Sequence, residues 1–322
     1  MRNYNIRGIN MKPKIVVIVG PTAVGKTKLS IEIARAFNGE IISGDSMQVY
    51  RGMDIGTAKI SKEEMAGIPH YMLDIKEPDE AFSVADFKQY VHSYITHIDS
   101  KSKLPILVGG SGLYIQAILY DYQFTNHKRN MAYTKKLEEQ IKQEGITKIY
   151  EQLKNIDPEQ AKKIHPNNHR RVIRALEVYH QTGKTMSQLI EEQEQKTSPY
   201  DPIIIGLEME RELLYERINK RVDQMLEDGL LDEVYSLYKN GYENTQAMRA
   251  IGYKEFIPYF KNEYDYKRAV ELLKRNSRRY AKRQFTWFKN KMKVNWYHIH
   301  PEKFDEQLQI ILEDLAGILK DK

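Results

Sequence analysis

Apolar residues in this chain follow two rhythms. Short unbroken runs occur at 15–19 (Ile-Val-Val-Ile-Val), 105–108 and 203–207. They are too short for helices and mostly β-branched, so they predict buried strands. Residues 40–43, 70–74 and 294–299 give weaker strands of the same kind. Between the runs, apolar positions recur every three or four residues. The clearest case is 83–98, where Val84, Phe87, Val91, Tyr94, Ile95 and Ile98 form one stripe. Ser83 and Asp86 stand at its start as a cap pair. Strands that alternate with helices predict βαβ units and a parallel sheet. Ligands of such sheets sit at the carboxyl ends of the strands.

The rhythm changes between about 126 and 199. That stretch is rich in Lys, Glu and Gln and reads as several helices without a strand, the clearest at 168–181 before Gly183. Residues 191–199 read as a solvated exit linker. Beyond 203–207 the pattern is mostly helical, with 211–228 stopped at Gly229 and 231–240 stopped at Gly241. The predicted organisation is an α/β core over 11–125 and 200–322, a helical insertion over 126–199, and a polar extension over 1–10, expected to be disordered.

Composition narrows the classes. The 322 residues are 41% hydrophobic, enough for one large domain and a smaller one. There is no cysteine, which excludes disulfides and thiolate metal sites. The nine histidines have no zinc-site spacing; His298 and His300 would share one face of a late strand. No apolar stretch approaches the roughly 20 residues of a membrane helix. Residues 1–10 lack the apolar centre of a signal peptide. The expected location is the cytoplasm. Net charge is +6, and it is concentrated: 267–293 holds eleven Lys or Arg and one acid, Glu271. Tyr280, Phe285, Trp287 and Phe288 are interleaved. Such a stripe suits a phosphate backbone, although a charge run alone is more often a solvated helix face.

The most specific motif is Gly20, Pro21, Thr22, Ala23, Val24, Gly25, Lys26, Thr27. It follows a strand pattern and precedes a helical one, the context a phosphate-binding P-loop needs. Glycines let backbone N–H groups approach an anion, and the helix N-terminus favours negative charge. Lys26 adds a positive charge and Thr27 a hydroxyl for magnesium. The alternative, a glycine turn with a capping Thr, does not account for all four fixed positions.

Kinases and NTPases of this class carry a carboxylate at the end of a neighbouring strand. The strand at 104–108 instead runs into Gly-Gly-Ser-Gly at 109–112, which has no acid. Ser111 there could offer a hydroxyl to a ligand, or the segment could be a plain glycine turn. An acid follows the strand at 40–43, in Gly44-Asp45-Ser46-Met47-Gln48. Asp45 would share the mouth with Lys26, where it could hold magnesium through water or take a proton. Its local alternative is a helix N-cap.

Taken together, these residues resemble the tRNA dimethylallyltransferase (tRNA isopentenyltransferase) family. The matching segments are 20–27, 42–50 (Ile-Ser-Gly-Asp-Ser-Met-Gln-Val-Tyr), 52–59, 109–114, 168–177, 248–253 and 281–287, in family order over almost the full length. The resemblance implies a P-loop NTPase-like three-layer α/β/α core with a parallel sheet, a helical insertion that helps clamp the anticodon stem-loop, and a helical C-terminal region. It also implies transfer of a dimethylallyl group from its diphosphate to N6 of adenosine 37 of tRNA. The loop would then hold a leaving diphosphate rather than a nucleotide, with Mg2+ on Thr27. Asp45 matches the proposed general base. Arg217 and Arg221 match the diphosphate-contacting arginine region; their spacing puts both on one helix face. Asp45, Ser46, Met47 and Gln48 match the segment that reads the flipped base, and Ser111 matches a position usually Thr. Arg170, Arg171, Arg174, Arg249 and Lys254 match tRNA contacts. With no cysteine, the chain resembles the bacterial form, without a zinc finger.

Two other classes remain open on sequence. A small-molecule or nucleoside kinase would turn over ATP. A non-catalytic RNA-binding switch would not need Asp45. No apolar helix face lacks a core partner, which predicts a monomer.

Overall fold

The computed structural model describes residues 12–121, 130–194 and 197–320. The polar extension expected over 1–10 lies outside them. The chain forms two compact units, Met1–Leu119 with Pro199–Lys322, and Tyr120–Ser198. The first holds a six-stranded sheet: β1 Lys14–Val19, β2 Gly39–Ser43, β3 His70–Tyr71, β4 Leu104–Gly109, β5 Asp201–Glu208 and β6 Asn295–His298. The order is β3-β2-β4-β1-β5-β6 and every pair is parallel. All six expected strands are present. β3 is shorter than the apolar pattern suggested, because Met72 (φ 68°) and Asp74 (φ 54°) leave the extended region.

Helices α1 Lys26–Ala36, α2 Val84–Ser100 and α3 Gly112–Leu119 belong to the first half of this unit. The cap pair of α2 is a complete capping box between Ser83 and Asp86. The second unit holds α4 Met131–Glu144, α5 Thr147–Ile156, α6 Pro158–Lys163, α7 His169–Thr182 and α8 Met186–Glu194. The first unit resumes with α9 Arg211–Glu227, α10 Leu230–Lys239, α11 Ile257–Phe260, α12 Tyr266–Lys291 and α13 Phe304–Lys320. Among the described residues, none of these helices is long and apolar enough to cross a membrane.

Both faces of the sheet are covered. Val16, Ile18, Ile41, Ile106, Ile203 and Ile205 share one core with Leu29 and Ile33 of α1 and Ile311 and Leu315 of α13. The alternate residues Ile15, Val17, Val19, Ile42 and Leu107 are equally buried, as period-two alternation in a doubly covered sheet requires. The second unit has its own core of Leu137, Ile149, Leu153, Val172 and Leu176. Part of the expected exit linker is helical, since α8 runs to Glu194. Thr185 and Gln188 cap its start reciprocally, and the Glu and Gln residues after them are good helix formers.

Candidate active site

The P-loop turns through three positive-φ residues, Gly20 (144°), Ala23 (66°) and Gly25 (110°). A Cβ at Gly20 would lie 2.5 Å from the Leu207 carbonyl oxygen, so packing as well as backbone angle requires glycine there. Gly25 is the N-cap of α1 and supplies no capping side chain. Lys26 folds back over the loop, and its Nζ donates to Gly20 O (3.0 Å) and Pro21 O (2.7 Å). Thr27 follows, exposed, on the first turn of α1.

Two distant helices hold the tip of this loop. From α9, Arg217 Nε donates to Ala23 O (3.0 Å) and Arg221 Nη1 to Thr22 Oγ1 (3.4 Å). Both arginines therefore reach the loop. From α12, the buried Gln284 accepts the Thr22 N–H at 2.9 Å. The Tyr280 hydroxyl lies against Gln284 and Ser111. The two helices are tied to each other by Lys274 with Asp223 (2.5 Å) and Arg278 with Asn219 (2.6 Å).

Asp45 enters from β2. The Gly44 N–H donates to Val108 O of β4 (2.7 Å), which fastens the Asp45 loop to the end of the neighbouring strand. No helix follows Asp45. Its Oδ1 accepts the Met47 N–H (2.8 Å) and closes a turn, so the N-cap alternative is half realised. Gly44 and Gly109 pack backbone to backbone, and a Cβ at Gly109 would stand 2.5 Å from Gly44 O. Gly109→Ala should destabilise the protein by about 1–3 kcal/mol and push the Asp45 turn outward, because the obstacle is backbone and cannot rotate away. Urea denaturation checks this; an unchanged midpoint would refute it.

Lys26, Asp45 and Arg221 form one electrostatic group. Each is half-buried over the whole residue, but its charged end sits deep among protein atoms. Burial pushes the Lys26 ammonium down to about 7; the Arg221 guanidinium pushes the same way and Asp45 opposes. Burial also raises the Asp45 carboxyl, against the Met47 and Gln48 N–H groups, Lys26 and Arg221. Arg221 is lowered by burial while Asp45 opposes. Lys26 and Arg221 thus share the Asp45 carboxylate in a poorly solvated mouth, with Glu64 and Arg217 acting in opposite senses on Arg221, and such a site gains from an added anion. Tyr280, raised to about 12 mainly by burial, stays protonated and can serve only as a neutral hydroxyl.

No cluster of three or more acidic or histidine side chains suited to a metal occurs among the described residues. The donors present fit magnesium nonetheless. That ion keeps most of its waters and binds through one or two protein oxygens plus substrate phosphates. Thr27 is exposed at the helix start, where a diphosphate would bring such oxygens.

Ser46, Met47 and Gln48 follow Asp45 in the same turn, and Ser111 stands at the start of α3 beside Tyr280. Arg249 and Lys254 are exposed on the first unit. Arg170 and Arg171 are exposed on α7 of the second unit. Arg174 differs: its Nη1 pairs at 3.0 Å with Glu177, which is buried and also accepts the Asn130 N–H. An arginine that neutralises a buried carboxylate serves the unit's own core before any RNA. The basic helix divides in the same way. Lys274 and Arg278 are taken by α9, while Arg279, Lys282, Arg283 and Lys289 are exposed.

Sequence reasoning gave Gln284 and Tyr280 no role at the loop, although both lie in or beside a quoted motif. Their one signal is an i, i+4 spacing that puts Tyr280 in line with the buried Gln284 and Phe288 of α12.

A family profile described as IPP transferase matches residues 48–291. A protein of Oceanobacillus iheyensis called tRNA dimethylallyltransferase is 57% identical, over 97% of this chain and 99% of its own. The crystal structure of a tRNA delta(2)-isopentenylpyrophosphate transferase from Staphylococcus epidermidis is 51% identical and superposes with a TM-score of 0.70, over 97% of this chain and 100% of that one. A eukaryotic dimethylallyltransferase, solved acting on tRNA, is 34% identical with a TM-score of 0.76, over 89% of this chain and 74% of that one.

Proposed function

The chain belongs to the IPP transferase family, and from that premise we propose that it transfers a dimethylallyl group from dimethylallyl diphosphate to N6 of adenosine 37 in tRNA. The observation that carries this reading is the site's charge pattern. Lys26 and Arg221 are poised for an anion, Asp45 is the carboxylate that acts on both of them, and the end of β4 carries no acid. A phosphoryl-transfer site needs that strand-end acid for its metal or its water. A site that releases diphosphate from carbon does not.

The C1–O bond of the allylic diphosphate breaks with its electron pair going to oxygen. The bond from adenine N6 to C1 forms, and the N6 proton passes to Asp45. Lys26, Arg221 and the N–H groups of the loop stabilise charge on the departing oxygen. Magnesium held through Thr27 would add charge neutralisation at the phosphates. The amine lone pair of adenine is delocalised into the ring, so removal of its proton as the bond forms assists its attack. The target base must leave its stack to reach Asp45. The exposed basic residues of α12, with Arg170, Arg171, Arg249 and Lys254, are proposed RNA contacts. The substrate places this work in the cytoplasm.

One assay tests the reading. The protein is incubated with labelled dimethylallyl diphosphate, magnesium and an anticodon stem-loop carrying adenosine at the target position. Label should enter the RNA, and an inosine-containing stem-loop should take none. Unlabelled RNA together with ATP hydrolysis would overturn the proposal in favour of a kinase.

A further inference from the structure

Glu233 lies on α10, in no segment so far given a role, yet it gathers four hydrogen bonds. Its Oε2 accepts the N–H groups of Asp54 (2.9 Å) and Ile55 (2.8 Å), and its Oε1 accepts Gly56 N–H (3.0 Å) and the Tyr253 hydroxyl (2.6 Å). Three successive backbone amides converging on one anion form a nest, here filled by the protein's own carboxylate. Gly56 also packs against the Tyr253 ring; a Cβ there would stand 2.5 Å from it. The loop is thereby fixed at its start. At its far end Thr57 O and Ala58 O both accept from Gln48 Nε2, at 3.2 and 3.3 Å. Gln48 Oε1 accepts the Ser43 hydroxyl at 2.8 Å.

These contacts leave the Gln48 amide a single orientation. Reversed, its oxygen would face two carbonyl oxygens. In the orientation present, both amide hydrogens are used and one lone pair of Oε1 remains. Gln48 can therefore only accept from a ligand. Asp45, three residues earlier, is also an acceptor. An adenine amino group has two hydrogens to give such a pair; the C6 oxygen of hypoxanthine or guanine has none.

We infer that Glu233 is a positioning residue for base selection: by pinning the 54–58 loop it holds Gln48 as a fixed acceptor for an exocyclic amine. The inference rests on the adenosine reading of the site and names the side chains that enforce it.

The test uses the full-length protein and its Glu233→Gln variant, with Tyr253→Phe as a milder second change that keeps the three amides on Glu233. In Glu233→Gln the KM for the adenosine stem-loop should rise about tenfold. The preference for adenosine over an inosine stem-loop competitor should shrink by about the same factor, since one hydrogen bond is being misplaced. Affinity for inorganic pyrophosphate, measured by calorimetry, should stay within about twofold, because none of the latch's hydrogen bonds is made to the P-loop. Tyr253→Phe should move the same quantities less far. By NMR, the side-chain amide hydrogens of Gln48 should exchange faster in Glu233→Gln. An unchanged adenosine preference, or a parallel loss of pyrophosphate affinity, would overturn the inference. If the wild type fails to label the stem-loop, the tRNA reading falls. The Gln48 exchange rate then decides the latch by itself: unchanged exchange overturns it and faster exchange supports it.

Discussion

Asp45→Ala should slow dimethylallyl transfer by about 10²–10⁴-fold, the usual worth of a positioned general base. Pyrophosphate binding should survive, because Lys26 and Arg221 lose the carboxylate that partly offsets them. Asp45→Asn separates the base from the turn it closes. An asparagine oxygen can still accept the Met47 N–H, so the turn stays, yet it cannot take a proton. The two variants should therefore lose kcat to a similar extent, and single-turnover rates will show it. Near-wild-type kcat in Asp45→Asn would remove Asp45 from the chemistry. The same residue sets a pH limb. Its carboxyl is raised by burial, and only the ionised form accepts the amine proton. The rate should fall as pH falls through that raised value, and the limb should vanish in Asp45→Asn.

Lys26→Met should reduce kcat by about 10²–10³-fold, as expected on removing one preorganised stabiliser of a leaving oxygen. It should also make the empty protein more stable. The sign follows from the direction of the shift. An ammonium lowered from 10.5 to about 7 in the folded state is disfavoured there relative to the unfolded chain. That penalty is absent above the unfolded value and grows as pH falls, reaching its full size below about 7. The gain in Tm for Lys26→Met should thus be larger at pH 6 than at pH 10. It will be reduced by the lost hydrogen bonds to Gly20 O and Pro21 O. A lower Tm at pH 6 would show that those bonds outweigh the buried charge. Function and stability pull against each other at this residue, as they do at many sites built for an absent anion.

Much of the core was legible in the chain. Three of the six strands are marked by apolar runs too short for a helix, the other three by weaker patterns, and the P-loop by fixed spacing within one segment. These signals are local. The contacts that shape the site are not. Gln284 meets Thr22 from 262 residues away, and Glu233 meets Ile55 from 178 away. Nothing in the spacing of either helix says which loop its polar residue will meet. Arg174 shows the reverse problem. Its match to a tRNA-contacting segment assigns it to RNA, yet one guanidinium nitrogen is already paired with a buried glutamate three residues on. Local pattern gives charge and periodicity; which charges are already satisfied depends on tertiary packing.

The strand order also constrains how the protein can be made. The central strand β1 is flanked by β4 and β5, so its second neighbour leaves the ribosome only when residues 201–208 have been synthesised. The helical unit, with its own apolar core, is complete by Ser198. A nascent chain therefore carries one side of β1 unpaired for well over a hundred residues while a later segment can already fold. Parallel pairing over such separations is slow and leaves apolar edges exposed. Truncations that end before β5 should be aggregation-prone, and the interval before β5 emerges is when this chain most needs a chaperone.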